Sequence, residues 1–192
     1  MTSTCSLRVR ILRVFKRLSK MGMTCELRQI SPAYAQWLLR NPDEIFQYYE
    51  QLQEGELPKS AQGDDLDLDK AWHGLHYLLT GTAWGDEEPG CYLVLGGEQV
   101  GDEEEHVISY GPARVLLPEQ VASFYQVVAA LKPADLSARF NPTEMTELDI
   151  YPGGWSTEAA ESEEWLQHSF AELQEFLQRT TARRMAIVTT IM

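Results

Sequence analysis

The sequence predicts an α+β fold, a single domain in which several helices pack around a small mixed sheet. Two observations lead there. Three short strand-like stretches, CELRQI at 25–30, the 106–117 region HVISYGPARVLL and MAIVTTIM at 185–192, stand far apart, and helical spacing of apolar residues dominates the intervals between them. The chain's 192 residues, 44% hydrophobic and 10% aromatic, suffice for one sizeable core, so one domain is expected.

The elements follow in order. CELRQI has the length of a short strand. Ser31 and Pro32 then open a helix through Leu39, because serine caps a helix and proline is tolerated at its first position. Pro42 restarts a helix from Asp43 to about Leu52, and EGELPKSAQGDD reads as a polar surface loop. In LDLDKAWHGLHYLLTG at 66–81, Leu68, Ala71, Trp72, Leu75, Leu78 and Leu79 share one apolar helical face, with Asp67 as the N-cap. Trp72 is therefore assigned to the core, and Asp69, His73 and His76 form a polar stripe along its edge.

The glycines at 96, 97 and 101 suggest a phosphate cradle, but Glu98 and the Asp102–Glu105 run surround them and no lysine follows, so this segment reads as an acidic solvated loop. Arg114 stands among apolar neighbours, where a guanidinium must find a partner or project into a cleft. Pro118 starts a helix that Val121, Phe124, Tyr125, Val128 and Leu131 carry to Pro133. FNPTEMTELDIYPGGW reads as a loop whose Asp149, Tyr151 and Trp155 line a cleft. Ser162 caps a last helix with Leu166, Phe170, Leu173 and Leu177 on one face and His168 pointing to solvent, and MAIVTTIM closes the chain as a buried strand.

Charge narrows the function classes. The net charge is −13, yet residues 1–20 carry six Arg and Lys and no acid, which leaves −19 on the remainder. Such a field repels phosphate backbones and attracts basic proteins, so a basic protein partner is expected and nucleic acid is not. No stretch has the roughly 18–20 consecutive apolar residues of a spanning helix, so no membrane role is expected. Residues 1–22 read as a basic leader outside the domain of residues 23–192, either disordered or an artefact of a start site that lies at Met21 or Met23. Three scattered cysteines fit a reducing cytoplasm better than a disulfide framework. The sequence carries no signal of oligomeric state.

Reaction motifs are missing. The chain has neither a nucleophile elbow nor an H-E-x-x-H helix, and His73 and His76 would share a metal only if His106, Cys91 or a carboxylate joined them from elsewhere. No catalytic residue, no metal ligand and no cofactor is therefore assigned.

Five segments in order, MTCELRQISP at 23–32, LDLDKAWHGLHYLLTG, LGGEQVG at 95–101, YGPARVLLPEQV at 110–121 and DIYPGGW at 149–155, resemble the YfbM-like family of bacterial proteins. The resemblance covers residues 23–192 and implies a single α+β domain in a bacterial cytoplasm, with function uncharacterised. Its motifs fall on Trp72, His73, His76, Gly96, Gly97, Tyr110, Gly111, Arg114, Tyr151 and Trp155, and no catalytic role comes with them. The binding residues expected are Trp72, His73, His76, Tyr110, Arg114, Asp149, Tyr151 and Trp155. Two functional readings remain open. One is a non-enzymatic module that binds a basic protein, in its narrower form an immunity-type antagonist of a basic toxin or nuclease; the other is a small hydrolase or metal-dependent enzyme with a cleft near His73, His76 and Arg114.

Overall fold

The computed structural model describes residues 22–85 and 87–192. The basic leader lies outside the described residues except for Gly22. Among them, five strands form one sheet: β1 (Cys25–Ile30), β2 (Asp65–Asp67), β3 (Glu98–Gln99), β4 (Arg114–Leu116) and β5 (Ala186–Ile191), in the order β2-β1-β5-β4-β3. The α+β class is as the sequence predicts, but the sheet is antiparallel in every pair rather than mixed. Strand direction depends on the side from which each connection returns the chain, and local pattern does not encode that. The central strand β5 is the apolar, β-branched closing segment, paired with all six residues of β1 from Cys25↔Ile191 to Ile30↔Ala186.

Among the described residues, seven α-helices cover both faces. α1 (Pro32–Arg40) and α2 (Glu44–Glu54) pack on the face that carries Ile30, Val115 and Val188. α3 (Trp72–Thr80), α4 (Pro118–Ala130) and α7 (Ala159–Ala182) pack on the opposite face, over Cys25, Leu27, Leu116 and Ile187. α5 (Pro133–Arg139) and α6 (Pro142–Glu147) bridge α4 to the segment before α7. Ser31 caps α1 by accepting from the Tyr34 N–H, and the face Leu166, Phe170, Leu173 and Leu177 of α7 is buried, as the spacing requires. His168 is exposed.

Several elements depart from the sequence reading. Asp67 ends β2 instead of capping α3; its carboxylate accepts the Asp69 N–H at 2.7 Å and holds a turn in which Asp69 has φ 44°. α3 then starts at Trp72 and is enclosed on all sides from Trp72 to Leu79, so His73 and His76 lie inside the protein and not along a polar edge. The expected loop at 140–155 begins with a helix, α6, because Pro142 occupies its first turn and the Asn141 side chain accepts the Glu144 N–H. α7 begins three residues before Ser162, at Ala159. None of the described helices is long and apolar enough to cross a membrane.

Directly opposed residues in a sheet share a face. The registers Gln99↔Arg114, Arg114↔Thr189 and Thr189↔Leu27 therefore set three polar side chains in one row beside Leu27, on the face otherwise packed by α3, α4 and α7. The apolar packing opens over this row.

Candidate functional site

Two adjoining pockets, of about 280 and 330 Å³, meet at Met23 and Trp84. The first has the polar row Gln99, Arg114 and Thr189 as its floor, with Trp72, Trp84 and Tyr110 among its walls. The second is bounded by His73, Asp149 and Tyr151. Six of the eight binding residues expected from sequence thus face one cleft. The other two do not reach it: His76 is sealed behind His73, and Trp155 is buried in the core, its Nε1–H donating to the Ile150 carbonyl at 2.7 Å and its ring over Gly74. Trp155 is a packing residue, and Gly74 is the glycine that makes room for it.

An aromatic stack builds the cleft wall. Trp72 lies parallel to His73 with centroids 4.9 Å apart, against Tyr151 at 5.8 Å, and His73 meets Trp84 at 4.4 Å. The start of the domain is fastened to this stack: the Met23 N–H donates to the Tyr151 hydroxyl at 2.9 Å, and Trp72 Nε1–H donates to the Met23 carbonyl at 3.1 Å.

His73 is fully committed. Its Nδ1 accepts the Tyr151 N–H at 2.9 Å, which requires the proton on Nε2, and Nε2–H donates to the Ala83 carbonyl at 2.8 Å. Burial lowers its pKa, opposed by the Ala83 bond. The imidazole staples the loop after α3 to the loop after α6, and neither nitrogen is left for proton transfer or metal ligation. Among the described residues no group of three His, Cys, Asp or Glu side chains converges to hold a metal ion.

His76 is different, since neither ring nitrogen has a hydrogen-bond partner among the described residues. Burial, then the neighbouring His73, pushes its pKa from 6.5 down to about 4. A folded-state pKa below the unfolded one means that the unfolded chain takes up the proton first. Stability is then unaffected above pH 6.5 and declines as pH falls from 6.5 toward about 4. His76→Leu, which fills much of the same volume without polar atoms, is expected to hold or raise the melting temperature at pH 7 and to flatten the acid limb of the stability curve. Melting temperatures of both proteins across that pH range check this.

Arg114 is held from β4 by uncharged acceptors. Its Nε–H donates to the Gly96 carbonyl at 2.9 Å, Nη2 to Gly97 at 3.1 Å and Nη1 to the Gln99 amide oxygen at 3.5 Å. Burial lowers its pKa, partly opposed by Cys91 and Glu103. The segment at 95–101 is therefore no solvated loop: its two glycines wrap the guanidinium and lead into β3, and Gly97 takes φ 77° where a Cβ would meet the Val115 carbonyl oxygen at 2.4 Å. Further along, Asp102 accepts the N–H groups of Glu104 and Glu105, while the Asp102 N–H donates to buried His106. Glu103, Glu104 and Glu105 are exposed beside the cleft, with Glu103 on its lining.

Sequence reasoning missed Trp84, Gln99 and Thr189, and took Glu103 only as part of the acidic Asp102–Glu105 run. Trp84, 58% exposed, had a legible signal, a large aromatic in the polar stretch TGTAWGDEEPG. Thr189 had none, because its facing depends on pairing with β1 and β4. A larger depression of about 480 Å³ near Arg28 and Arg183 lies elsewhere, and its cations are already paired, Arg28 with Asp65 at 3.4 Å and Arg183 with Asp64 at 3.0 Å.

Comparison with known proteins agrees with this architecture. The solved structure titled as a protein of unknown function, YfbM from Escherichia coli, superposes with a TM-score of 0.66 at 21% identity, covering 88% of this chain and 99% of that one. At that identity the likeness is one of fold. No functionally curated protein matches the chain. The family model described as a domain of unknown function, DUF1877, matches residues 21–190, which is most of the chain. With the YfbM fold and that match together, the chain belongs to the DUF1877 family.

Proposed function

We propose that this protein acts by binding and performs no chemistry, its aromatic cleft and acidic rim receiving a basic protein partner. One observation carries the reading: Trp84 and Tyr110, the two most exposed large hydrophobic residues among those described, face the same cleft beside the exposed Glu103–Glu105 run. Exposed aromatics flanked by charge are the usual anchors of an interface, and opposite fields accelerate encounter. The enzyme alternative loses support, because His73 is engaged at both nitrogens and His76 lies behind it, away from Arg114's pocket. The buried free thiol of Cys25 fits a bacterial cytoplasm, and an antagonist of a basic toxin or nuclease is the narrower form of the reading.

Co-purification from the native cell at low and high salt tests it. A basic protein is expected at low salt and lost at high salt. Glu104→Lys with Glu105→Lys should slow association and leave dissociation nearly unchanged; Asp102 is spared because it holds the loop. Trp84→Ala should weaken the complex by about 2 kcal/mol or more, roughly thirtyfold, without lowering the melting temperature. Recovery of no basic partner, together with turnover of a small substrate that Arg114→Ala abolishes, would transfer the assignment to the enzyme reading.

A further inference from the structure

We propose that the pocket over the Gln99–Arg114–Thr189 row is a binding site for a small organic monocarboxylate with a flat or branched apolar body. The floor supplies the charge. Arg114 spends three of its five N–H donors on Gly96, Gly97 and Gln99, all uncharged acceptors, so its positive charge is held in place with two donors left over. Gln99 is itself fixed, its amide nitrogen donating to the Gly101 carbonyl at 3.1 Å, so it orients the guanidinium and does not compete for the ligand.

Thr189 is the second, independent observation. It lines the same pocket, is 5% exposed, and its hydroxyl has no hydrogen-bond partner among the described residues. Its neighbour Thr190, on the other face of the sheet, is bonded to Tyr49. A buried hydroxyl without a partner is costly. Rotation about χ1 carries the hydroxyl between staggered positions on the face from which Arg114, its direct cross-strand partner, also rises, so a ligand held by Arg114 lies within the reach of that O–H.

Size and walls select the rest of the ligand. The volume of about 280 Å³ is near the lower end of the roughly 300–1,000 Å³ of small-molecule sites. Trp72, Trp84, Val94 and Leu95 make the sides apolar, which suits a phenyl or branched alkyl body. Glu103 at the lining disfavours a second negative charge, so phosphates and dicarboxylates are selected against.

Isothermal calorimetry and amide NMR shifts with 3-phenylpropionate, phenylacetate and 4-methylpentanoate, each against its neutral amide, test the site. At least one acid is expected to bind at least tenfold more tightly than its amide, with shifts centred on residues 96–99, 114 and 189, and phenylsuccinate should bind less well. Thr189→Val should cost at least threefold in affinity with an unchanged or higher melting temperature, and Arg114→Gln should abolish the preference for acid over amide. If Arg114→Gln fails to fold, the acid and amide pairs and Thr189→Val still decide the matter. Equal binding of acid and amide, no effect of Thr189→Val, shifts mapping elsewhere, or no binding by any acid at millimolar concentration overturns the site. The Glu104→Lys, Glu105→Lys protein should bind the acid at least as tightly as the wild type, so this proposal and the partner reading fail separately.

Discussion

Trp72→Ala is expected to lower the unfolding free energy by about 3–5 kcal/mol, the range for truncating a buried large aromatic. The ring is 1% exposed, lies between His73 and Tyr151, and ties the start of the domain to α3 through Met23. Removing it leaves a cavity, an unpaired Met23 carbonyl and two aromatic faces without a partner, losses that fall on the same side of the balance. Urea denaturation followed by circular dichroism measures the effect, and a midpoint equal to wild type would sink the core assignment. The contrast with Trp84→Ala is informative. Trp84 is 58% exposed, so its loss should spare stability and remove one wall of the cleft.

Gly97→Ala is expected to have the next largest effect. A Cβ there is forced into a left-handed backbone with φ 77°, at about 1–2 kcal/mol. It also stands 2.4 Å from the Val115 carbonyl oxygen, and relieving that contact moves backbone, at about 1–3 kcal/mol by the usual cost of overpacking. The Gly97 carbonyl, which moves with that backbone, is the acceptor of Arg114 Nη2, so the variant should lose cleft geometry together with stability. Melting temperature and the NMR signals of Gln99 and Arg114 report the two losses separately. Gly111→Ala is the control, since nothing lies within 4 Å of its added Cβ.

Much of the fold was legible in the chain because local patterns report local structure. CELRQI and the apolar closing segment are strands, Ser31–Pro32 opens a helix, and the buried face of α7 is the one its spacing gives. Capping chemistry was misread where a competing use existed: Asp67 has the composition of an N-cap, but it closes a turn at the end of β2. The histidines were misplaced for a related reason. Helical spacing assigns one face of α3 to the core and cannot say that neighbours enclose the other faces too.

The site was legible only in part. Trp72, His73, Tyr110, Arg114, Asp149 and Tyr151 do face one cleft, whereas Trp155 turned inward, because its indole N–H found the Ile150 carbonyl and its ring found the space over Gly74. By itself the sequence determined the α+β class, the first and last strands of the chain, the principal helices and the acidic charge, since periodicity, caps and composition are written residue by residue. Tertiary structure alone decided the antiparallel order of the sheet, the commitment of both His73 nitrogens and the alignment of Thr189 beside Arg114. Each of these depends on a partner distant in the chain, and a register between remote strands leaves no trace in either strand alone.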